Sequence, residues 1–161
     1  MRAAVITVSD EVASGADGDR GGPVAVGLLA DLGHDADLSV VADDPAQIAA
    51  AVTAAATGGA RVVVACGGTG IGPNDHTARV VEDLVTFEIP GIAEEIRRRG
   101  LARTPQALIS REVAGALLGE GHEPALVLAV PGSRGGVRDA LGVVGEMLGY
   151  IVEQLEGAGH A

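Results

Sequence analysis

The stretch Arg61-Val62-Val63-Val64-Ala65, continued by Cys66-Gly67-Gly68-Thr69-Gly70-Ile71-Gly72-Pro73-Asn74-Asp75-His76-Thr77 and then by Ala78 to Leu84, decides the fold. Its β-branched run has no polar alternation, which predicts a strand buried on both faces, as in a parallel sheet. A glycine-rich turn follows, and then a segment of helical period. Strand, glycine loop and helix in that order open a crossover unit, and sheets made of such units bind ligands at the carboxyl ends of their strands.

The pattern extends in both directions. Ala3–Val8, Asp37–Val41 and Ala125–Val130 are predicted as further buried parallel strands. Pro23 to Leu32 places Val24, Leu28, Leu29 and Leu32 on one helix face, and Pro45 to Ala56 places Ile48, Val52 and Ala55. A single last helix is predicted from Gly135 to Leu155, with Val137, Leu141, Val144, Leu148, Ile151 and Leu155 turned inward. Ala107 to Gly121 fits either a short antiparallel strand or a helical turn. Alternating strands and helices predict an α/β fold: one doubly wound, mostly parallel sheet in a three-layer α/β/α sandwich, with residues 1–161 as one domain. No repeat or linker interrupts it, and the tail from Gly157 to Ala161 is expected to fray.

Composition narrows the function. The chain has 11 basic and 22 acidic residues, a formal charge of −11, and a single Phe and Tyr with no Trp. Without a basic stripe or stacking rings, nucleic acid is a poor partner. A small phosphorylated ligand remains possible, because distant surface charges are screened beyond roughly 8 Å. Every basic residue is Arg, so neither a P-loop lysine nor a Schiff base is available. One cysteine, Cys66, excludes an internal disulfide and suits a reducing compartment. No apolar run approaches the ~20 residues of a membrane span, so a soluble, cytoplasmic protein is expected.

The loop from Cys66 to Thr77 carries the most chemistry. Its glycines let backbone N–H groups close on an anion, and the following helix adds its positive end. It is not a Walker A sequence, and Gly68, Gly70 and Gly72 do not give the Rossmann spacing. A glycine-rich turn ended by an Asp or Thr helix cap fits the residues equally well. Asp75 bears on the choice, because a carboxylate beside phosphates needs a cation between them, which points to Mg²⁺. Asp43 offers a second carboxylate after the second strand, whereas Asp44 before Pro45 reads as a helix cap.

Seven stretches in order resemble the MoaB/Mog family of molybdenum cofactor biosynthesis proteins, over nearly the entire chain. They are Thr7-Val8-Ser9-Asp10; Ala13-Ser14-Gly15 through Asp19 with Gly22-Pro23; Val41-Ala42-Asp43-Asp44; and Gly67-Gly68-Thr69-Gly70 with Asp75 and Thr77. The others are Ile89-Pro90-Gly91 with Glu94 and Arg97, Leu108-Ile109-Ser110-Arg111 with Ala114-Gly115, and Val130-Pro131-Gly132-Ser133.

The resemblance implies a molybdopterin adenylyltransferase, a nucleotidyltransferase that uses Mg-ATP and molybdopterin as substrates and releases pyrophosphate. It implies catalytic and Mg²⁺-binding roles for Asp43 and Asp75. It implies ligand-binding roles for Ser9, Ser14, Gly67, Gly68, Thr69, Gly70, Thr77, Ser110, Arg111, Pro131, Gly132 and Ser133. A homotrimer is the family expectation. This chain departs from many relatives in having Asn74 and His76 around Asp75, where Arg and Val are common, so one positive charge is missing there. Arg134 stands where a second Pro is common and reads first as a solvated helix-start residue. A pterin-binding protein without turnover is the alternative, disfavoured by the presence of both aspartates. A flavodoxin-like electron carrier ranks far behind, since Phe87 and Tyr150 lie outside the strand-end loops.

Overall fold

A computed structural model of the protein describes residues 1–159. The end of the tail expected to fray lies outside that range. Six strands form one sheet in the order β2-β1-β3-β6-β5-β4. The parallel part comprises β1 (Arg2–Val8), β2 (Asp35–Val41), β3 (Val62–Cys66) and β6 (Ala125–Val130), and β5 (Val113–Leu117) and β4 (Phe87–Glu88) run antiparallel at one edge. Ala107 to Gly121 thus resolves both ways, as a 3-10 turn over Pro105–Ile109 followed by the antiparallel strand β5.

Strand geometry sends alternate residues to opposite faces, and the core divides accordingly. Val62, Val64, Leu126, Leu128 and Val130 pack against α2 (Gly22–Asp31), α5 (Pro90–Arg103), α6 (Arg134–Val144) and α7 (Leu148–Leu155). Val63, Val127 and Ala129 pack against α3 (Pro45–Thr57) and α4 (Thr77–Leu84) on the other side. Helices therefore cover both faces of the sheet, as the alternating pattern predicts. Leu128 is fully buried at the centre of this arrangement. Leu128→Ala should lower unfolding free energy by about 2–5 kcal/mol in urea titrations; a loss below about 1 kcal/mol would mean that the central strand packs loosely.

Three local expectations need correction. Strand β2 is an edge strand rather than a buried one, with Leu38 41% and Val40 40% exposed. It pairs only with β1, and Asp35 and Asp37 on it suit an edge that must resist further pairing. Helix α2 buries Ala25 and Leu29, leaving Val24 and Leu28 half-buried and Leu32 beyond its end. Helix α3 buries Ile48 and Val52 as expected, with Ala56 as the third buried position and Ala55 half-buried against the same core. The final helix is broken by a 3-10 turn at Gly145–Met147. Glycines at 142, 145 and 149 lower the local preference for helix, and a side chain at Gly145 would press on Leu32, with its Cβ 2.8 Å from the Leu32 Cδ1.

Candidate functional site at the carboxyl edge of the sheet

The ends of β1, β3 and β6 converge on the glycine loop. Gly67 continues the β3–β6 pairing through its N–H to the Val130 carbonyl, 2.9 Å, at φ 107°, and a Cβ there would overlap the Val8 carbonyl oxygen. Gly68 has φ 67° and lies against the Thr77 side chain at the start of α4. Only glycine occupies such positions without strain. The Thr77 hydroxyl is fully buried without a hydrogen-bond partner, an uncommon state for a polar atom.

The loop's own carboxylate does not cap α4. His76 occupies that position without a side-chain bond, while an Asp75 carboxylate oxygen accepts from the Gly72 N–H at 2.8 Å. Asp75 thus folds back over Gly70 and Gly72. Asp43 reaches the same loop from the end of β2: its carboxylate accepts from the His76 N–H at 3.4 Å, and its own N–H donates to Asp10 at 2.9 Å. Desolvation raises the Asp43 pKa; the His76 backbone bond and the nearby His76 charge oppose the shift, and repulsion from Asp75 and Asp10 adds to it. Asp44 is the N-cap of α3, accepting from the Gln47 N–H at 2.9 Å.

The raised Asp43 pKa has a definite sign. A carboxyl that holds its proton more tightly when folded favours the fold below the unfolded pKa, and this advantage is lost as pH rises through the folded value. At neutral pH without divalent cations, Asp43→Asn should therefore unfold at a higher temperature than the parent protein. A lower melting temperature for the variant would show that the carboxylate is stabilised where it stands.

Arg111 braces the loop from across the cleft. Its guanidinium donates to the carbonyls of Gly70 at 2.8 Å and Asp75 at 2.9 Å, and its N–H donates to Thr69 O at 2.7 Å. The Thr69 and Ser110 hydroxyls share a hydrogen bond of 3.2 Å. Two cavities flank this assembly. The first, about 480 Å³, is lined by Thr69, Gly70, Ser110, Pro131 and Ser133 together with apolar Ile96, Ala107 and Ile109. The second, about 580 Å³, is lined by Thr7, Ser9, Asp19, Gly132, Ser133 and the arginines 20 and 134.

Not every expected residue lies in these cavities. Asp43 and Asp75 line neither, although Asp75 abuts Gly70 on the wall of the first. Ser9 caps the short helix α1 (Asp10–Ser14), accepting from the Val12 N–H, and Ser14 closes that helix by donating to the Glu11 carbonyl. Ser14 lines neither cavity. Ser133 caps α6 by accepting from the Gly136 N–H. Cys66 is buried, and burial pushes its thiol up to about 12, so it is no nucleophile at neutral pH.

Two residues outside the expected set also stand here. Asp19 accepts from the Thr7 hydroxyl at 2.6 Å and from the Gly22 N–H at 3.0 Å. Its place three residues before Gly22-Pro23 is the sequence trace of that bond. Glu112, buried among the residues that line the first cavity, leaves no such trace.

Among the described residues, no group of three or more His, Cys, Asp or Glu is arranged to hold a metal. Two adjacent carboxylates nonetheless fit Mg²⁺, which usually takes one or two of them and completes its shell with substrate phosphates and water.

Fold and site define an α/β domain whose carboxyl edge joins a glycine-rich backbone loop to two carboxylates, Asp43 and Asp75. The family model described as "Probable molybdopterin binding domain" matches residues 4–149. A molybdenum cofactor biosynthesis bifunctional protein of Synechococcus elongatus is 38% identical over 98% of this chain and 48% of its own length. The chain spans about half the length of that relative and of its counterpart in Chlorobaculum tepidum. A molybdopterin adenylyltransferase of Pyrococcus furiosus is 31% identical over 92% of this chain and 88% of its own. A molybdopterin biosynthesis protein of Mycobacterium abscessus superposes with a TM-score of 0.86 at 39% identity, covering 97% of this chain and 96% of its own. The chain belongs to the MoaB/Mog family of molybdenum cofactor biosynthesis proteins. No helix among the described residues is long and apolar enough to cross a membrane.

Proposed function

We propose that the protein transfers an adenylyl group from Mg-ATP to the terminal phosphate of molybdopterin, releasing pyrophosphate. The observation that carries this reading is the meeting of Asp43 and Asp75 at one glycine loop, through the His76 N–H and the Gly72 N–H. Asp43 and Asp75 would hold Mg²⁺ there, which supplies charge neutralisation to the polyphosphate. The remaining work is alignment. Loop N–H groups and the α4 N-terminus face phosphate oxygens, Arg111 fixes the loop's shape, and the Ser110–Thr69 pair orders the wall against which the pterin rests. By analogy with phosphoryl transfer, such chemistry needs positioning and electrostatics more than a protein nucleophile, in keeping with the inert Cys66.

An assay of adenylylated molybdopterin formed from ATP and molybdopterin, with and without Mg²⁺, tests the proposal. Product only with the metal is expected. Pterin binding without product would assign the protein to the alternative, a binding role without turnover, which the uncharged Asn74 beside Asp75 favours. The family expectation of a homotrimer is part of the same proposal and is checked by light scattering. A cytoplasmic location, where ATP is present and Cys66 stays reduced, completes it.

A further inference from the structure

Glu112 is a buried carboxylate on a cavity whose walls combine apolar side chains with the Arg103–Asp139 ion pair, Thr104 and Gln106. It is 6% exposed, immediately precedes β5, and lines the cavity formed by Thr69, Gly70, Ser110 and Ile96. Arg97 of α5 stands 3.1 Å from its Oε2 while donating from Nε to the Ser110 carbonyl at 3.0 Å. Yet this ion pair is not aligned as a hydrogen bond, so Oε2 is a buried acceptor with a charge beside it and no directed bond. Burying a carboxylate is costly, and proximity to one guanidinium without directed bonds repays little of that cost. Glu95 on α5 shows the ordinary solution. Glu95 takes well-aligned bonds from Arg98 at 2.7 Å and pairs with Arg99 at 3.3 Å, all on the helix surface.

An under-satisfied carboxylate on a residue that lines a cavity matches a ligand that presents donors. Resting on the molybdopterin reading above, we propose that Glu112 is the specificity-determining residue for the pterin ring, accepting from the adjacent N3–H and 2-amino groups of its 2-amino-4-oxopyrimidine edge. Two parallel N–H donors match the two oxygens of a carboxylate, the same fork geometry by which arginine pairs with aspartate. The apolar walls from Ile96, Ala107 and Ile109 suit the ring faces. Arg97 stands beside the carboxylate and ties it to Ser110, so that ring recognition and the glycine-loop wall move as one unit. A site built to pair with donors rejects an analogue that lacks them, since its own buried group is then stranded.

The test compares 6-hydroxymethylpterin with 6-hydroxymethyllumazine, which differ in having an amino or an oxo group at position 2, by fluorescence titration of the full chain. The protein should bind the pterin at least about tenfold more tightly, because the lumazine turns a carbonyl toward the carboxylate. Glu112→Gln should reduce that preference to within about threefold, and Glu112→Asp, one methylene shorter, should fall between. Equal affinity of the unmodified protein for the two compounds, or no detectable binding of the pterin, overturns the proposal without reference to any variant's folding. So does a Glu112→Gln protein that keeps the full preference while losing only melting temperature, since Glu112 would then merely tie β5 to α5. The adenylylation reading fails separately, through absence of Mg-ATP-dependent product from the unmodified protein, and pterin selectivity does not bear on that outcome.

Discussion

Asp75→Ala should reduce adenylyl transfer by at least about a hundredfold while leaving affinity for the pterin within about threefold of the parent. The split follows from where Asp75 lies. Its carboxylate abuts Gly70 and Gly72 and does not itself line the first cavity, so removing it takes away the proposed metal ligand while leaving the residues that line the proposed ring site in place. Because it also accepts the Gly72 N–H, Ala releases one loop hydrogen bond, whereas Asp75→Asn can retain it. If loop shape were the whole contribution, Asn would restore turnover. On the present account Asn remains nearly as impaired as Ala, since a neutral amide is a poor ligand for Mg²⁺. Single-turnover assays at saturating ATP, alongside pterin titrations, separate the two. Unchanged turnover in Asp75→Ala would remove the residue from the reaction altogether.

Gly67→Ala is expected to have the largest structural effect of a single methyl group in this protein. The added carbon would overlap the Val8 carbonyl oxygen, a backbone atom fixed in the sheet, at a residue whose φ is 107°. Strain at such a backbone position costs of order 1–3 kcal/mol, and the overlap adds to it. A total near 3 kcal/mol should lower the melting temperature by roughly 6–12 °C in a chain of this size. ATP binding should fall as well, because the same displacement moves the loop amides away from the carboxylates. Gly27→Ala in α2, where a Cβ meets nothing within 4 Å, is the matched control and should be neutral or slightly stabilising. Comparable melting temperatures for the two variants would show that the convergence of β1, β3 and β6 tolerates displacement.

How far the sequence revealed this depended on whether a feature was local. β6 falls on Ala125–Val130 as the apolar run predicts, and Pro45 and Asp44 mark the start of α3 through one proline and one cap. The exposure of β2 was hidden because Leu38, Val40 and Val41 read as a core strand wherever they stand. Only the strand order, in which β2 is outermost, decides it. The break at Gly145 was masked by an apolar spacing that continues across it. At the site, the glycine loop was legible from its residue types. The contact of Asp43 with that loop spans 33 positions; its place after the second strand marked it as a candidate, and the family resemblance paired it with Asp75. Arg97 comes from a helix and Glu112 from the turn that leads into β5, and no pattern in either segment announces their pairing.

Calorimetric titration of ATP with and without Mg²⁺ tests the central claim most directly, using the parent protein and a double variant carrying Asp43→Asn and Asp75→Asn. The parent should bind ATP well only with the metal, because two unscreened carboxylates oppose the polyphosphate. The double variant should lose most of that metal dependence and bind free ATP more tightly than the parent does. Equal ATP affinity with and without Mg²⁺ in the parent protein would contradict the joint assignment of the glycine loop and the two acids.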